Sequence, residues 1–270
     1  MLKRLIILFS IGRKLAQSGI LDIFSKFHDV PKSIRILFYL LSFSLKKRNE
    51  INFNIDEKER LSNSLQSMGT TFIKLGQFLA TRPDIIGEDL SKQLETLQDK
   101  LPPFSLSEAK KIIKKDLGDQ MFNSIINLSE PVAAASIAQV HKAQIDDNGT
   151  IKDVAVKILR PQIKKIFNDE IDALMFFAYV IESLIKKTKR LKLVEVTFLL
   201  KQITNHEMDL RFEAAAANEY AENTKNDFGF KVPSIYWNFT SENVMMLDWI
   251  EGNSIRETEV LQSQNIDTNK

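Results

Sequence analysis

The 270-residue sequence contains no cysteine and only three histidines, His28, His141 and His206. The absence of cysteine excludes disulfide bonds, thiolate zinc sites, iron–sulfur clusters and cysteine nucleophiles, and it is consistent with a reducing compartment. Three scattered histidines argue against a dedicated transition-metal centre. With 9 glycines and 7 prolines, the chain also lacks the composition of a collagen-like or wholly disordered protein. The chemistries that remain use oxygen-ligated metals, nucleotides or acid–base groups.

Long apolar runs are also absent, since none reaches the ~18 residues that span a bilayer. No small-residue cleavage site follows the first short run, so we predict no signal peptide. Residues 1–50 instead contain ten basic and three acidic residues, a net charge of +7, whereas the rest of the chain carries −5. This asymmetry predicts a basic amphipathic leader that lies on an anionic membrane surface. The alternative is a set of helices that pack on the protein and expose a basic face to solvent.

The hydrophobic pattern changes near residue 128, from helical periodicity to short strands with inserted helices. We therefore predict an α+β chain with a leader over 1–50, a helical module over 51–128, a small antiparallel sheet with helices over 129–252, and a tail over 253–270. Helices are predicted over residues 56–81 (broken near Gly69), 88–99, 105–118 (from a capping box to Gly118), 161–187 and 194–223. Strands are predicted over residues 132–145, 153–159, 232–236 and 244–249, with a hairpin turn at 146–149.

Lys157 lies in the middle of an apolar strand, on the same face as Ala155 and Leu159. A lysine in this position must bind an anion or extend into water. The small residues at 133–138 begin a hairpin that ends on this lysine, and protein kinases hold nucleotide phosphates with such a loop and strand lysine. Alanines occupy the positions of the kinase glycines, and alanine adopts positive φ less readily than glycine. The alternative is an edge-strand lysine in water.

The acidic segment 207–213 is predicted to lie within the helix over 194–223. On that helix Glu207 and Arg211 form a favourable i,i+4 pair, whereas Asp209 and Glu213 carry like charges at the same spacing. One explanation of this pattern is a solvated surface. The other is a functional site in which cations balance the carboxylates: Lys157 would pair with one carboxylate, and another lysine or a metal would bind the rest. We therefore expect Glu213 to point at Lys157.

A glycine interrupts the helix that contains Lys74, Gly76 and Gln77, at a cost of about 1 kcal/mol relative to alanine. Such a glycine suggests that another backbone approaches the helix closely. Lysine and glutamine on a helix carry little information by themselves.

These elements resemble, in order and spacing, the UbiB-type atypical kinase family of bacterial ubiquinone biosynthesis, from about residue 57 onward. The resemblance is carried by residues 72–84, by Ala-Ser-Ile-Ala-Gln-Val-His at 135–141, by Lys157, by Glu207 and Asp209, and by residues 244–252. It implies a protein-kinase-like N-lobe preceded by a family-specific helical extension, which binds ATP together with Mg²⁺.

The resemblance also implies residue roles. Lys74 would lie over the active site and restrain kinase activity by pairing with Glu207, while Lys157 would contact the α- and β-phosphates and pair with Glu213. The alanine-rich loop would replace the glycine-rich loop, and residues 247–250 would form the hinge. The implied ATP-binding residues are Val132, Ala133, Ala134, Ala135, Ser136, Ile137, Ala138, Gln139, Val140, Lys157, Leu247 and Trp249. The implied regulatory and active-site residues are Lys74, Gly76, Gln77, Glu207, Asp209 and Glu213.

The family's catalytic loop, metal-binding aspartate and C-terminal helices find no counterpart in this sequence, so we expect an N-terminal fragment without catalytic or metal-ligating residues of its own and without ATP turnover. The implied location is the inner face of the bacterial cytoplasmic membrane, with ubiquinone-biosynthesis enzymes or lipid intermediates as partners and no nucleic acid. The alternative is a catalytically silent, membrane-associated scaffold or lipid-binding module, in which Lys157 and the acidic segment form structural ion pairs.

Overall fold

The computed structural model describes residues 6–7, 9–13, 57–95, 97, 101–147, 149–184, 186–252 and 263. Most of the predicted leader and of the predicted tail therefore lies outside the described residues. The helices are α1 (Glu57–Met68), α2 (Thr70–Ala80), α3 (Pro83–Ile86), α4 (Glu88–Glu95), α5 (Leu106–Asn123), α6 (Ile163–Leu184), α7 (Leu193–Glu207) and α8 (Leu210–Asn223), with 3₁₀ turns at Lys186–Leu191 and Trp237–Phe239. None of the described helices is long and apolar enough to cross a bilayer.

A five-stranded antiparallel sheet follows the helical region, as the sequence predicted. The strands are β1 (Ile125–Ile126), β2 (Pro131–Ala134), β3 (Ala138–Asp147), β4 (Thr150–Leu159) and β5 (Val244–Asp248). Their order is β1-β3-β4-β5, and β2 pairs with β3 as well. The α+β fold class is therefore confirmed.

Several predicted boundaries are wrong in informative ways. The helical segment that begins at Leu106 ends at Gly118 as predicted, with φ at 81°, but a second helical segment follows directly to Asn123, and α5 comprises both. Pro161 lies in a turn, and α6 begins two residues later. The strand predicted over residues 232–236 is reduced to a single bridge between Ile235 and Leu247. A short strand, β1, also begins within the segment predicted to be entirely helical.

The helix predicted over residues 194–223 is two helices, α7 and α8, separated at Met208 and Asp209. Asp209 has an extended backbone, and its carboxylate accepts a hydrogen bond from the Arg211 backbone N–H at 3.1 Å. A side-chain oxygen at this position satisfies one of the free N–H groups that begin a helix. The chain can therefore turn here, and α8 starts in a new direction.

Three apolar clusters hold the fold together. The first joins α1, α2 and α4 around Phe72 and Ile73, and the second joins one face of the sheet to α6 and α8 around Phe167. The third packs the opposite face of the sheet against α5. Ile11, in the helical residues 9–13, is 2% exposed within the first cluster, so this part of the predicted leader packs on the protein.

A buried polar network joins β3 to the segment before α5. His141 is fully buried, and its Nδ1 lies 2.8 Å from the Ser129 carbonyl oxygen, which can only accept. Nδ1 therefore carries the proton, and Nε2 accepts from the Gln139 amide at 2.8 Å. Gln139 in turn accepts from the Phe104 N–H at 2.9 Å. The network requires neutral His141, and burial lowers the pKa of this histidine below 6.5.

We expect the protein to lose stability as the pH falls below 6.5, because the unfolded chain then binds a proton on His141 that the folded chain does not accept until a lower pH. Thermal melts at about pH 7.5 and about pH 5.5 measure this slope. His141→Gln should flatten it. Equal slopes for the native chain and His141→Gln would contradict this assignment.

Candidate functional site

The register of the central strands places Lys157 on the face of the sheet that α6 and α8 partly cover. Lys157 pairs with Val140 of β3 on one side and with Met245 of β5 on the other, and Ala155 pairs with Leu247. Cross-strand partners share a face, as do residues two apart in a strand. We call the surface formed by Val140, Ala155, Lys157 and Leu247 the Lys157 face. Because β4 lies between β3 and β5, the alternative of an edge-strand lysine is wrong.

Lys157 pairs with Glu213, as predicted from the sequence. Its Nζ lies 2.6 and 2.7 Å from the two carboxylate oxygens. Glu213 can reach the sheet because α8 starts at Asp209, which places Glu213 in the first turn of the helix. The side chains are 25% and 47% exposed, so both ions remain open to water and to an incoming anion. An ion pair of this exposure contributes at most about 1 kcal/mol to stability.

The predicted contact between Lys74 and Glu207 is also present. Lys74 Nζ lies 2.7 Å from Glu207 Oε2, and the lysine side chain is only 13% exposed. Glu207 is the last residue of α7 and Lys74 lies in the middle of α2. The ion pair therefore connects α2, in the helical extension, to the end of α7, and α7 is followed by the helix that carries Glu213.

The predicted pairing of Glu207 with Arg211 is wrong, because the two residues are not on one helix. Arg211 instead binds Asp209, with donor–acceptor distances of 2.9 and 2.6 Å. These hydrogen bonds lower the pKa of the Asp209 carboxyl below its usual value. Asp209 and Glu213 also do not lie within one continuous helix as predicted, because Asp209 is the residue that caps the start of α8.

The alanine loop, residues 133–138, is held on both sides. The Ala135 N–H donates to the Ala138 carbonyl at 2.8 Å, and the Arg160 guanidinium donates to the Ala135 carbonyl at 3.0 and 2.8 Å. The Thr70 hydroxyl of α2 donates to the Ser136 carbonyl at 3.1 Å. None of these alanines adopts positive φ in the described structure, so this conformation needs no glycine.

The predicted nucleotide-binding residues divide into two groups. Val132 and Ala133 are exposed, and Ala134, Ala135 and Val140 are half-buried, so these residues are open to a ligand. The side chains of the other loop residues are buried: Ser136, Ile137, Ala138 and Gln139. Gln139 lies on the opposite face of the sheet, in the network with Phe104, and only its backbone remains available to the alanine loop.

Gly76 and Gln77 lie on α2. Among the described residues, no hydrogen bond connects either of them to the Lys157 face. A Cβ at Gly76 would lie 2.6 Å from Leu97 Cδ2 and 2.9 Å from Leu65 Cδ1. The close neighbours of Gly76 are therefore leucine side chains, and not another backbone as predicted. Gln77 is half-buried on the same helix.

The predicted hinge lies at the end of β5, where the sheet carries residues that the sequence interpretation missed. The Trp249 indole N–H donates to Glu251 at 2.6 Å, and Lys142 Nζ lies 4.9 Å from the centroid of the Trp249 ring. Lys142 also pairs with Asp153 at 3.0 Å. The alternation along β3 could have identified Lys142, since it lies two residues after Val140 and so shares its face.

Among the described residues, no group of three or more histidines, aspartates or glutamates is placed to hold a metal ion. The structure thus assigns no Mg²⁺ ligand within this part of the chain.

Comparison with known proteins gives a consistent result. A profile of the ABC1 atypical kinase-like domain matches residues 96–270. Proteins named "Probable protein kinase UbiB" are similar to the chain: that of Marinobacter nauticus is 32% identical over 247 residues, that of Azotobacter vinelandii 34% over 241, and that of Pseudomonas aeruginosa 31% over 261. These matches cover 91%, 88% and 96% of this chain but only 44%, 44% and 48% of those proteins. The chain thus spans about half the length of the curated relatives it matches.

Proposed function

Since the chain belongs to the ABC1 atypical kinase-like family, we propose that it binds ATP on the Lys157 face, as the nucleotide-holding part of an atypical kinase or ATPase. The observation that carries this proposal is the partly exposed ion pair between Lys157 and Glu213, which lies next to the alanine loop. A loop over the phosphates and a strand lysine oriented by a helix glutamate are the parts with which kinases hold ATP.

The residues on this face fit a nucleotide. Glu213 holds the Lys157 ammonium at a fixed position, and a partly exposed ammonium can bind a phosphate oxygen through a charge-assisted hydrogen bond. Val140, Ala155 and Leu247 add an apolar surface on which an adenine ring can pack, and the small Ala155 side chain leaves room for it. Mg²⁺ supplies charge neutralisation when it is bound with ATP, and the described residues assign no ligand to it.

We also propose that the helical extension restrains this site. The ion pair of Lys74 with Glu207 and the hydrogen bond of Thr70 with Ser136 connect α2 both to the end of α7 and to the alanine loop. Movement of either the loop or the helices is therefore coupled to α2. This connection agrees with the restraining role that the family resemblance implies for Lys74.

Titration of ATP and of adenosine into the protein tests the nucleotide proposal. ATP is expected to bind more tightly, because only ATP carries the phosphates that Lys157 can contact. Lys74→Ala is expected to bind ATP at least as tightly as the native chain, since it releases the restraint without removing a phosphate contact. Equal affinity for ATP and adenosine, or no binding of either, favours the scaffold alternative, in which Lys157 and Glu213 form a structural pair.

The charge of residues 1–50 supports a role at a membrane, which the family resemblance also implies. We propose that the chain is part of a protein that supports ubiquinone biosynthesis at the inner face of the bacterial cytoplasmic membrane, through biosynthetic enzymes or lipid intermediates. The net charge of +7 should favour anionic lipid, with each basic residue near the surface contributing about 1 kcal/mol at low salt.

Sedimentation with vesicles measures this preference. The protein is expected to bind anionic vesicles more tightly than neutral ones, and the difference should decrease as salt screens the charges. A chain without residues 1–5, which removes Lys3 and Arg4 but keeps the packed residue Ile11, should bind anionic vesicles more weakly. Equal binding to the two kinds of vesicle at low salt would contradict the electrostatic part of the proposal.

A further inference from the structure

A cavity of about 310 Å³ lies beside the tip of the β3–β4 hairpin, on the side of the sheet opposite Lys157. It is lined by Ile145, Asp146, Asp147, Ile235, Tyr236, Trp237, Asn238 and Phe239. We call this cavity the Tyr236 pocket. Its volume is at the lower end of the range of about 300–1,000 Å³ that small-molecule sites occupy. No part of the nucleotide proposal uses these residues.

The aromatic wall of the Tyr236 pocket is held rigidly. The Tyr236 hydroxyl donates to Asp248 at 2.8 Å, and the Tyr236 backbone N–H donates to the Met246 carbonyl at 2.9 Å. Phe239 donates its N–H to the Tyr236 carbonyl at 2.9 Å. Both rings also pack on the apolar cluster that includes Met246. Burial and the Asp248 carboxylate raise the pKa of Tyr236 to about 12, so this ring stays neutral.

One aromatic ring of the pocket is open to solvent. Trp237 is 48% exposed, although it lies in a 3₁₀ turn between the two fixed residues Tyr236 and Phe239. Because its backbone lies between these fixed residues, a ligand that stacks on the ring needs to order little more than the indole side chain.

The charged residues of the pocket give the sign of its ligand. Among the described residues that line it, Asp146 and Asp147 are the charged ones. Lys152 is the cross-strand partner of Ile145, and its ammonium lies 2.5 Å from Asp147 Oδ2. Lys152 therefore already neutralises Asp147, so the charge that a cationic ligand would meet is that of Asp146. Aromatic faces next to carboxylates are the surroundings in which cations are recognised.

We propose that the Tyr236 pocket binds a guanidinium group, such as that of an arginine side chain. A planar guanidinium stacks on an aromatic ring and donates several N–H groups to carboxylate oxygens at once. Trp237 supplies the exposed ring, and Asp146, whose Oδ1 accepts a hydrogen bond from the Gly149 N–H at 2.6 Å, supplies an exposed carboxylate at the hairpin tip. A quaternary ammonium could lie against the rings, but it has no N–H group to donate to Asp146.

The two tryptophans of the chain provide the test, because each gives its own indole N–H signal in a proton–nitrogen spectrum. Titration with N-acetyl-arginine amide is expected to shift the Trp237 signal with saturation at millimolar concentration and to leave the Trp249 signal in place. N-acetyl-citrulline amide, a neutral compound of nearly the same shape, should bind roughly tenfold more weakly. No saturable shift of the Trp237 signal, or equal affinity for the two compounds, would overturn the proposal.

Variants locate the contact. Asp146→Asn is expected to weaken arginine amide binding several-fold, whereas Asp119→Asn, which removes one exposed carboxylate on α5, should leave it unchanged. An unchanged Trp249 signal shows that each variant is folded.

Equal binding by both variants would overturn the role of Asp146, and tighter binding of tetramethylammonium than of arginine amide would overturn the choice of guanidinium. An arginine-containing peptide that binds more tightly than the free amide would identify a protein as the source of the group.

Discussion

A chain carrying Lys157→Met is expected to bind ATP at least about tenfold more weakly than the native chain, and to keep its fold. Methionine preserves the apolar stem of lysine but removes the ammonium, and a hydrogen bond to a charged group contributes about 1.5–3 kcal/mol. Glu213 loses its partner, but its side chain is 47% exposed and stays hydrated, so the cost in stability is small. Titration with a fluorescent ATP analogue measures the affinity, and a thermal melt measures the fold.

Lys201→Met is the matched control for this variant. Lys201 also pairs with an acidic residue, Asp172, at 2.8 Å, and its side chain is 34% exposed, but it lies on α7 away from the sheet. The control removes the same charge, so it should leave the affinity for ATP unchanged. If both variants bind ATP as the native chain does, Lys157 does not contact the phosphates.

Replacing Gly76 with valine is expected to destabilise the protein by about 1–3 kcal/mol, the usual cost of adding side-chain volume to a packed core. The space above Gly76 is already occupied, since even a Cβ would lie 2.6 Å from Leu97 and 2.9 Å from Leu65. Valine adds two further methyl groups and has few rotamers with which to avoid these leucines. Urea denaturation measures the change in the free energy of unfolding.

Two further variants separate packing from helix propensity. Lys92→Val places the same β-branched residue at an exposed position of α4, so it should cost only the propensity difference, a few tenths of a kcal/mol. Gly76→Ala gains propensity but still needs the two leucines to move, so it should lie closer to the native stability than Gly76→Val does. A native-like stability for Gly76→Val would show that the leucines move away easily, and that the glycine serves another purpose.

The central strands were predictable from the sequence because their residues alternate clearly. Val154, Val156 and Ile158 are all fully buried, and this alternation alone places Lys157 on the other face. The hairpin was predictable for a similar reason, since Gly149 with φ at 87° provides the turn residue between two β-rich runs. The contact of Lys157 with Glu213 followed from the need of a strand lysine for an anion.

Other features depended on tertiary contacts that periodicity does not encode. The pattern of apolar and charged residues over 194–223 is compatible with one helix, but the cap at Asp209 divides this segment into two helices. As a result, Arg211 pairs with Asp209 and not with Glu207. Gly118 interrupts the helix as its sequence position predicted, but the second helical segment, which packs Phe122 on the same apolar cluster as Leu117, was not predicted. Gln139 was assigned to the nucleotide loop by its place in the motif, although the pleat of β3 directs its side chain to the other face.

The measurement that tests the central claim most directly is a proton–nitrogen NMR titration of the protein with a non-hydrolysable ATP analogue. We predict that the amide signals of the alanine loop, Lys157 and Leu247 shift together with saturation, because these residues form one surface of the sheet. Signals of α5, which packs on the opposite face around Ile113, should stay in place. No saturable shift on the Lys157 face, or shifts confined to the opposite face, would contradict the assignment of this surface to a nucleotide.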